Sequence, residues 1–458
     1  MMYDVIIIGG GPGGYVAAIK AAQSHLKVAL IEKEAIGGVC LNWGCIPTKA
    51  LLKSAKVYKQ IMHAESYGIV INDKKAIKPD LNLMMKRKDD VVKKLTGGVK
   101  MLLKKNGVTV IEGFAEVIDS HTVRVADQSF QTKTLILATG ASPIMPPIPG
   151  LDHARKAGIA LTSKEILSIT TLPTSLVIVG GGVIGIEFAT MFSALGTEVT
   201  ILERVDNILT QVDEEIRTSY VKLLKKEGIK ILTSASVEAI DEHVVTYVKD
   251  GKKEQIQADI ILMSVGMKAN TKGFEKLGLT ISSKGVVVNE QMQTSLKDVY
   301  AIGDVNGEMM LAHVASAQGL IAIENILGKA SKIDYRKAPA GIYGSPEIAY
   351  VGYNEQELRK QNRPYKVSKF PLSANGKALA EGESDGFVKI LVDPTYGEIL
   401  GMHILAPNAT DIIAEAVVTM ELEGTVHEVA KAIHPHPTLS EIMMEAAHGA
   451  VDKPIHII

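Results

Sequence analysis

The sequence predicts an α/β protein with two related doubly wound parallel-sheet domains, a small central domain and a C-terminal α+β domain. The first observation is a series of strand, glycine-rich turn, helix and second strand ending in an acid, over residues 3–32. The second is the return of the same series over residues 176–203. The third is a change after about Pro339, where strand-like alternation precedes helices and no glycine-rich turn occurs.

The first series has the features of a dinucleotide-binding unit. Residues 3–8 are a continuous apolar run typical of a buried parallel strand. The glycines that follow have G-x-G-x-x-G spacing, at Gly9, Gly11 and Gly14. Such glycines let the backbone approach a pyrophosphate at a helix N-terminus, and Glu32, which ends the next strand, can accept a hydrogen bond from a ribose hydroxyl. The alternative is a plain tight strand–helix turn.

The second series indicates an internal duplication. Its glycines are Gly180, Gly182 and Gly185. Each landmark is displaced by 171 positions, as from Gly9 to Gly180 and from Glu32 to Glu203. Two Rossmann-like sites in one chain suggest two cofactors that exchange electrons. A carboxylate at Glu203 would repel the 2′-phosphate of NADP and favours NAD, although Arg204 is a counter-signal.

The only two cysteines, Cys40 and Cys45, lie close together in a glycine-rich stretch over residues 37–52. Pro47 and the residues after it predict a helix start, which places Cys45 where unpaired N–H groups and the helix dipole favour a thiolate. A zinc site would need two further soft ligands, and no other cysteine exists to supply them. Two structural thiols remain the alternative, but the pattern favours a redox pair.

The region between the two series contains a basic helix, predicted over residues 81–105. A solvated helix face is the simple interpretation, and a docking surface for an acidic protein is the alternative. Strands then lead to Ala138-Thr139-Gly140, and a proline-rich crossover at 143–149 marks a domain boundary. The predicted domains are 1–142, 143–268, 269–338 and 339–458.

Two segments further along the chain carry candidate polar groups. Asp304 ends an apolar strand, where its carboxylate could accept from a ligand hydroxyl such as a ribityl chain or serve as an ordinary turn residue. His434 and His436 could suggest a metal pair, but no third ligand lies nearby. Glu441 either forms a capping box with Thr438 or orients His436 as an acid/base.

Composition excludes several classes of function. A formal charge of −1, with 22% charged residues, gives no reason to expect a nucleic-acid or membrane partner. No apolar run reaches the length of a membrane span, and no secretory signal precedes the first strand. Two cysteines cannot form a disulfide framework for a chain of 458 residues. We therefore expect the protein in a reducing cytoplasm, and a processed form in an organelle is equally compatible.

Taken together and in order, these motifs resemble the flavin-dependent pyridine nucleotide–disulfide oxidoreductases over essentially the whole chain. The cysteine stretch and the segment His-Pro-Thr-Leu-Ser-Glu, from His436 to Glu441, are the specific parts. The resemblance implies FAD on the first glycine unit and NAD on the second, with no metal. The residues it implies at the FAD are Gly9, Gly11, Gly14, Glu32, Lys49, Gly113, Thr139, Gly140, Asp304 and Ala312. Those it implies at the NAD are Gly180, Gly182, Gly185, Glu203 and Gly266.

The resemblance also implies catalytic roles and partners. Cys45 would lie beside the flavin, Cys40 would exchange with substrate, and Lys49 and Glu187 would lie near the flavin and nicotinamide. His436 and Glu441 would form an acid/base dyad that reaches the active site from the other subunit of a homodimer. Within the family, the implied branch oxidises dihydrolipoamide on lipoyl domains of a multienzyme complex.

The chain departs from the family pattern at three places, Val39, Met267 and Pro435. Met267 stands where the family commonly has arginine, which puts local cofactor contacts in question. Glutathione-type and mercuric reductases, or a flavin-bound subunit without turnover, are the alternative functions. Glu203 argues against a glutathione-type reductase, and the absence of a second cysteine pair argues against a mercuric reductase. A subunit without turnover would not need Cys40, Cys45 and the His436 dyad together.

Overall fold

The computed structural model describes residues 2–457. The strands of its first 300 residues are β1 Met2–Ile8, β2 Val28–Glu32, β3 Thr109–Glu112, β4 Ala115–Asp119, β5 Thr122–Val125, β6 Gln128–Leu137, β7 Ala141–Pro143, β8 Ala160–Leu161, β9 Ser175–Val179, β10 Glu198–Leu202, β11 Lys230–Leu232, β12 Ala235–Asp241, β13 Val244–Lys249, β14 Lys252–Gln257, β15 Ile260–Met263, β16 Met267–Ala269 and β17 Val299–Ala301. The later strands are β18 Ala340–Ile342, β19 Glu347–Gly352, β20 Lys366–Pro371, β21 Phe387–Val392 and β22 Ile399–Ala406. The α-helices are α1 Pro12–Gln23, α2 Gly38–Trp43, α3 Cys45–Met62, α4 Leu81–Lys105, α5 Leu151–Lys156, α6 Val183–Ala194, α7 Glu214–Lys226, α8 Ala312–Ile326, α9 Glu355–Lys360, α10 Gly376–Ala380, α11 Ala409–Ile412, α12 Ala414–Glu421, α13 Val426–Lys431 and α14 Glu441–Val451.

The chain forms two compact units. The first contains the chain up to Pro147 together with Ala160–Leu172 and Leu262–Asp334. The second contains Ile148–Ile159, Pro173–Ile261 and the chain from Tyr335 onward. The finer division into four domains stays a prediction.

The first unit is built on a seven-stranded sheet with the order β3-β2-β1-β6-β5-β4, and β17 also pairs with β6. Strands β1, β2, β3, β6 and β17 run parallel, whereas β4 and β5 are antiparallel. Residues on β1 alternate between two cores, with Val5 and Ile7 in one and Ile6 and Ile8 in the other. Because both faces are covered, the strand needs the continuous apolar run that the sequence shows.

The second unit repeats the parallel arrangement and adds an antiparallel sheet. Strands β9, β10 and β11 pair in parallel, and Leu202 aligns with Val179 as Ile31 aligns with Ile8 in the first unit. The C-terminal sheet has the order β18-β19-β22-β21-β20, with antiparallel pairing. The strands predicted from alternation after Pro339 are therefore confirmed.

One local prediction was wrong. The apolar run Val286-Val287-Val288 predicts a strand, but the structure gives only an isolated bridge between Ile281 and Val286. Val286 is buried and Val287 is 40% exposed, so the apolar run alternates without finding a strand partner. Within residues 2–457, no helix is both long and apolar enough to cross a membrane.

A buried ion cluster stabilises the second unit. The side chain of Lys389, on β21, is 1% exposed and its Nζ lies 2.9 Å from Asp213 Oδ1. The same ammonium group contacts the carboxylates of Glu355 and Glu215. Asp213 also caps α7 by accepting from the Glu215 N–H. Burial favours the uncharged form of Lys389, yet bonds to Glu355 and Asp213 outweigh it and raise the pKa of this ammonium group.

Replacing Lys389 by methionine is expected to lower the free energy of unfolding by about 3–5 kcal/mol, because Asp213 is left as an unpaired buried carboxylate. Chemical denaturation measures the loss. Lys369→Met is the matched control, since Lys369 also pairs with Glu215 but is 47% exposed. We expect that control to cost less than about 1 kcal/mol. Equal losses in the two variants would contradict the role given to burial.

Candidate active site

The two cysteines lie at the junction of two helices. Cys40 lies in the short helix α2 and Cys45 is the first residue of α3, as predicted for a helix start. Gly44 separates the helices, and its carbonyl accepts from the Thr48 hydroxyl at 2.7 Å. At Gly37, φ is +103°, a left-handed conformation that favours glycine. The six-residue helix around Cys40 was not predicted.

Both cysteines are thiols in the structure, and they hydrogen-bond to each other. The bond to Cys45 raises the pKa of the Cys40 thiol, and burial and the charge of Asp304 act in the same direction. Lys49, one helical turn after Cys45, acts in the opposite direction. Ionisation of the Cys40 thiol is therefore disfavoured while a reduced Cys45 lies beside it.

Tyr15 is a neighbour of this pair that the sequence interpretation missed. Burial raises the pKa of its hydroxyl, and the charge of Cys40 adds to the effect. Tyr15 directly follows Gly14, the last glycine of the first fingerprint. The sequence signal for this contact was the position of Tyr15 directly after the glycine turn. Helix α1 starts beside α2, since a Cβ on Gly38 would lie 2.7 Å from Gly11 Cα.

The first glycine turn leaves no room for a side chain at Gly9 or Gly14. At Gly9 φ is +110°, and a Cβ there would lie 2.1 Å from the Ala138 carbonyl oxygen. A Cβ at Gly14 would lie 1.8 Å from the Gly9 oxygen. Gly11 is the N-cap of α1, with no side-chain cap and no acidic residue in the first turn. The backbone N–H groups at this helix start are thus suited to an anionic ligand.

Glu32 is bonded to the same turn. Its Oε2 accepts from the Gly10 N–H at 2.6 Å, and its Oε1 accepts from the Glu34 N–H at 2.7 Å. Each oxygen retains a lone pair for a further donor such as a ribose hydroxyl. Gly113, with φ +142°, donates its N–H to the Glu32 carbonyl, which places it at the end of the neighbouring strand.

The remaining residues implied at the FAD also lie in the first unit. Asn270 joins Thr139 and Gly140, since its side chain donates to the Thr139 carbonyl and its N–H donates to the Gly140 carbonyl. Ala312 begins α8, whose N-cap has no side-chain hydrogen bond. Burial raises the pKa of the Asp304 carboxyl to about 6. A carboxylate buried in this way fits a ligand hydroxyl as its hydrogen-bond donor.

The second glycine turn repeats the first in atomic detail. Gly180 has φ +109°, and Gly182 is the N-cap of α6, again without a side-chain cap or a first-turn acid. Gly185 is buried within α6. Glu203 Oε2 accepts from the Gly181 N–H at 2.7 Å and its Oε1 from the Val205 N–H at 3.0 Å.

Gly266 and Met267 lie away from these elements in the chain. Gly266, with φ +117°, occupies the turn between β15 and β16 and belongs to the first compact unit, whereas Glu203 belongs to the second. Its carbonyl accepts from the Ile144 N–H at 2.9 Å. Met267 begins β16, which pairs with β7.

Lys49 belongs to the first compact unit and Glu187 to the second. Lys49 acts on Cys40, as given above. Glu187 lies on α6 and is 4% exposed. Its Oε1 accepts from the Tyr343 N–H at 3.1 Å, which ties α6 to the segment after β18. A buried carboxylate so close to the second glycine turn was expected from the resemblance alone.

His436 and Glu441 are joined in the second unit. His436 Nδ1 lies 2.8 Å from Glu441 Oε1, and the imidazole is 78% exposed. Burial raises the pKa of the Glu441 carboxyl, but the Thr438 N–H and the His436 bond outweigh it, so the pKa is lowered. The resulting carboxylate only accepts, so Nδ1 is the donor, and in the neutral form of the imidazole the lone pair is on Nε2.

The capping box proposed for Glu441 does not form. Thr438 Oγ1 donates to the Pro435 carbonyl, and Ser440, without a side-chain bond, is the N-cap of α14. Only the Thr438 N–H to Glu441 Oε2 contact of 2.8 Å is present. His434 does not join His436 in a metal pair, since its Nε2 contacts Glu415 instead. The described residues contain no group of three or more potential metal ligands of the His, Cys, Asp or Glu types.

Comparison with known proteins places these features in a family. The pyridine nucleotide-disulphide oxidoreductase model matches residues 3–319, and the dimerisation domain of that family matches residues 338–447. The dihydrolipoyl dehydrogenase of Mycoplasma genitalium is 43% identical, covering 98% of this chain and 99% of the relative. That of Geobacillus stearothermophilus is 41% identical, covering 99% and 97%.

Solved structures agree with this relationship. LpdA from Mycobacterium tuberculosis superposes with a TM-score of 0.88 at 28% identity, covering 97% of this chain and 99% of that one. The flavoprotein disulfide reductase RclA from Escherichia coli gives a TM-score of 0.86 at 28% identity, covering 97% and 99%. The chain therefore belongs to the pyridine nucleotide-disulphide oxidoreductase family.

Proposed function

We propose that this protein is a dihydrolipoyl dehydrogenase, which oxidises protein-bound dihydrolipoamide and reduces NAD⁺. The observation that carries the proposal is the hydrogen-bonded Cys40–Cys45 pair in the unit that also contains the first glycine turn. Full-length similarity to bacterial dihydrolipoyl dehydrogenases supports it. A location in a reducing cytoplasm is part of the proposal, supported by the presence of two cysteines in 458 residues.

FAD and NAD are the cofactors, and the geometry of the two glycine turns fits them. We assign FAD to the first turn with Glu32, Gly113, Thr139, Gly140, Asp304 and Ala312, and NAD to the second with Glu203. The role of Gly266 at the NAD stays a prediction from the resemblance. When bound, FAD accepts two electrons from the dithiol pair and returns them as a hydride to NAD⁺.

The protein's own groups perform the thiol exchange in its oxidised form. His436 Nε2 removes a proton from one substrate thiol, and the thiolate attacks Cys40 Sγ. The Cys40–Cys45 bond breaks, and Cys45 leaves as a thiolate favoured by the start of α3 and by Lys49. The second substrate thiol then attacks the substrate sulfur bound to Cys40, which closes the lipoyl ring, and its proton passes to Cys40, which is released as a thiol. Two electrons have moved from substrate to the cysteine pair.

The dimerisation-domain match supports a homodimer. We propose that the His436 serving each Cys40 comes from the partner subunit, and that the physiological partners are lipoyl domains of a 2-oxoacid dehydrogenase-type complex. Such a domain carries its dithiol on a flexible arm. The His436 side chain is 78% exposed in the single chain, which leaves it accessible to a second subunit.

Anaerobic reduction of NAD⁺ by dihydrolipoamide tests the proposal. The purified protein should be yellow and should reduce NAD⁺ with dihydrolipoamide, whereas glutathione disulfide and Hg²⁺ should be poor substrates for NAD(P)H oxidation. A colourless protein would exclude bound flavin. A faster rate with glutathione disulfide than with lipoamide would assign the chain to another branch of the family.

Replacing Glu203 by alanine is expected to lower the ratio of kcat/KM for NADH to kcat/KM for NADPH by about 10-fold or more. The reason is that the lost carboxylate accepts a hydrogen bond from the ribose and repels a 2′-phosphate. The ratio of kcat/KM for the two nucleotides measures the change. Glu32→Ala is the matched control, since Glu32 has the same two backbone contacts in the first turn. That variant should bind flavin more weakly, and once it is reconstituted with excess FAD its nucleotide preference should be unchanged.

A further inference from the structure

Within residues 431–437, His434 is the one residue that is not exposed. Residues 431–433 and 435–437 are all exposed, whereas the His434 side chain is 6% exposed. The loop connects α13 to α14 and carries His436, the proposed acid/base residue. Its conformation therefore depends on few buried contacts, and His434 supplies one of them.

Both ring nitrogens of His434 face oxygen acceptors. Nδ1 lies 2.9 Å from the Ala432 carbonyl oxygen, and Nε2 lies 2.9 Å from Glu415 Oε1. A neutral imidazole has one donor, so only the imidazolium form donates at both positions. Glu415 lies on α12, so the contact of 2.9 Å fixes the loop to a helix packed in the core of the C-terminal domain, where Ala416 is fully buried.

The charge of His434 acts on the proposed His436–Glu441 dyad. The positive charge of His434 is among the influences that stabilise the ionised form of Glu441. Glu441 in turn accepts from His436 Nδ1 at 2.8 Å. Two histidine–carboxylate pairs thus lie in series, one buried and one exposed, with Pro435 as the only residue between the two histidines.

We propose that His434 and Glu415 act as positioning residues, which hold the loop so that His436 Nε2 is presented to the substrate dithiol. The inference rests on the proposed function. It assigns His434 no contact with substrate or cofactor. Loss of the pair lets the imidazole of His436 move relative to the reacting sulfur, which slows thiol exchange and leaves the nucleotide half of the reaction intact.

The test separates the two half-reactions by stopped-flow absorbance of the flavin under anaerobic conditions. For His434→Asn, flavin reduction by dihydrolipoamide is expected to slow by about 10–100-fold, the scale of a small misplacement of a reacting group. Flavin reduction by NADH should keep its wild-type rate. Glu415→Gln keeps an acceptor oxygen without the charge, so its loss should be smaller. His427→Asn, at an exposed histidine of the same domain, is the control.

Three outcomes are distinguishable. Selective loss of the dithiol half-reaction in His434→Asn supports the inference. A wild-type dithiol rate in both variants, or equal losses in the two half-reactions, would overturn it in favour of a purely structural histidine. Failure of the wild-type protein to react with dihydrolipoamide would overturn the proposed function instead, whatever the variants do.

Discussion

The Cys45→Ser protein is expected to show no NAD⁺ reduction by dihydrolipoamide above background, a loss of more than about 10³-fold. Serine cannot form the disulfide that the substrate thiolate attacks, and its alkoxide is a poor leaving group beside a thiolate. The variant should nevertheless fold and bind FAD, because Cys45 is only partly buried and begins α3 without capping it. Steady-state NADH formation measures the effect.

Two control measurements show whether the loss of activity is caused by the missing sulfur. Reduction of an artificial one-electron acceptor by NADH does not use the cysteine pair and should persist in Cys45→Ser. Ser54→Ala, on the same helix, removes a hydroxyl that donates to the Ala50 carbonyl at 3.3 Å and should retain full activity. A Cys45→Ser enzyme that still reduces NAD⁺ with dihydrolipoamide would remove the pair from the mechanism.

Local patterns predicted the parts of the fold that depend on local chemistry. The strand before Gly9 was predicted because a doubly covered strand needs a continuous apolar run. Among the C-terminal strands, β20 alternates between buried and exposed residues, whereas β22 is buried along its whole length. The equivalence of Glu32 and Glu203 followed from spacing alone, and their matching bonds to Gly10 and Gly181 agree with it.

Local sequence patterns could not predict contacts between distant parts of the chain. Helix α2, which carries Cys40, has six residues with glycine at its start and on both sides, a composition of low helix propensity. The packing of Tyr15 near Cys40 depends on how two helix starts meet. The bond from His434 to Glu415 spans 19 residues without any periodic pattern, so the sequence paired His436 with Glu441 but gave no means of assigning a carboxylate to His434.

Replacing His436 by glutamine is expected to slow NAD⁺ reduction by dihydrolipoamide by about 10²–10⁴-fold, because the substrate thiol loses its proton acceptor. Glutamine keeps a side-chain amide able to donate to Glu441, so the loop can retain its conformation. The loss should shrink as pH rises, since solvent deprotonates the substrate thiol without the imidazole. The pH dependence of kcat/KM therefore tests proton removal directly.

A second variant separates the proton acceptor from its orienting partner. Glu441→Gln leaves His436 in place but offers Nδ1 a neutral partner, so the loss should be smaller than in His436→Gln. The Thr438 N–H to Glu441 Oε2 contact of 2.8 Å can persist with the amide oxygen, which preserves the start of α14. If both variants kept wild-type rates at neutral pH, the dyad would be structural, and the base that ionises the substrate dithiol would have to be sought elsewhere.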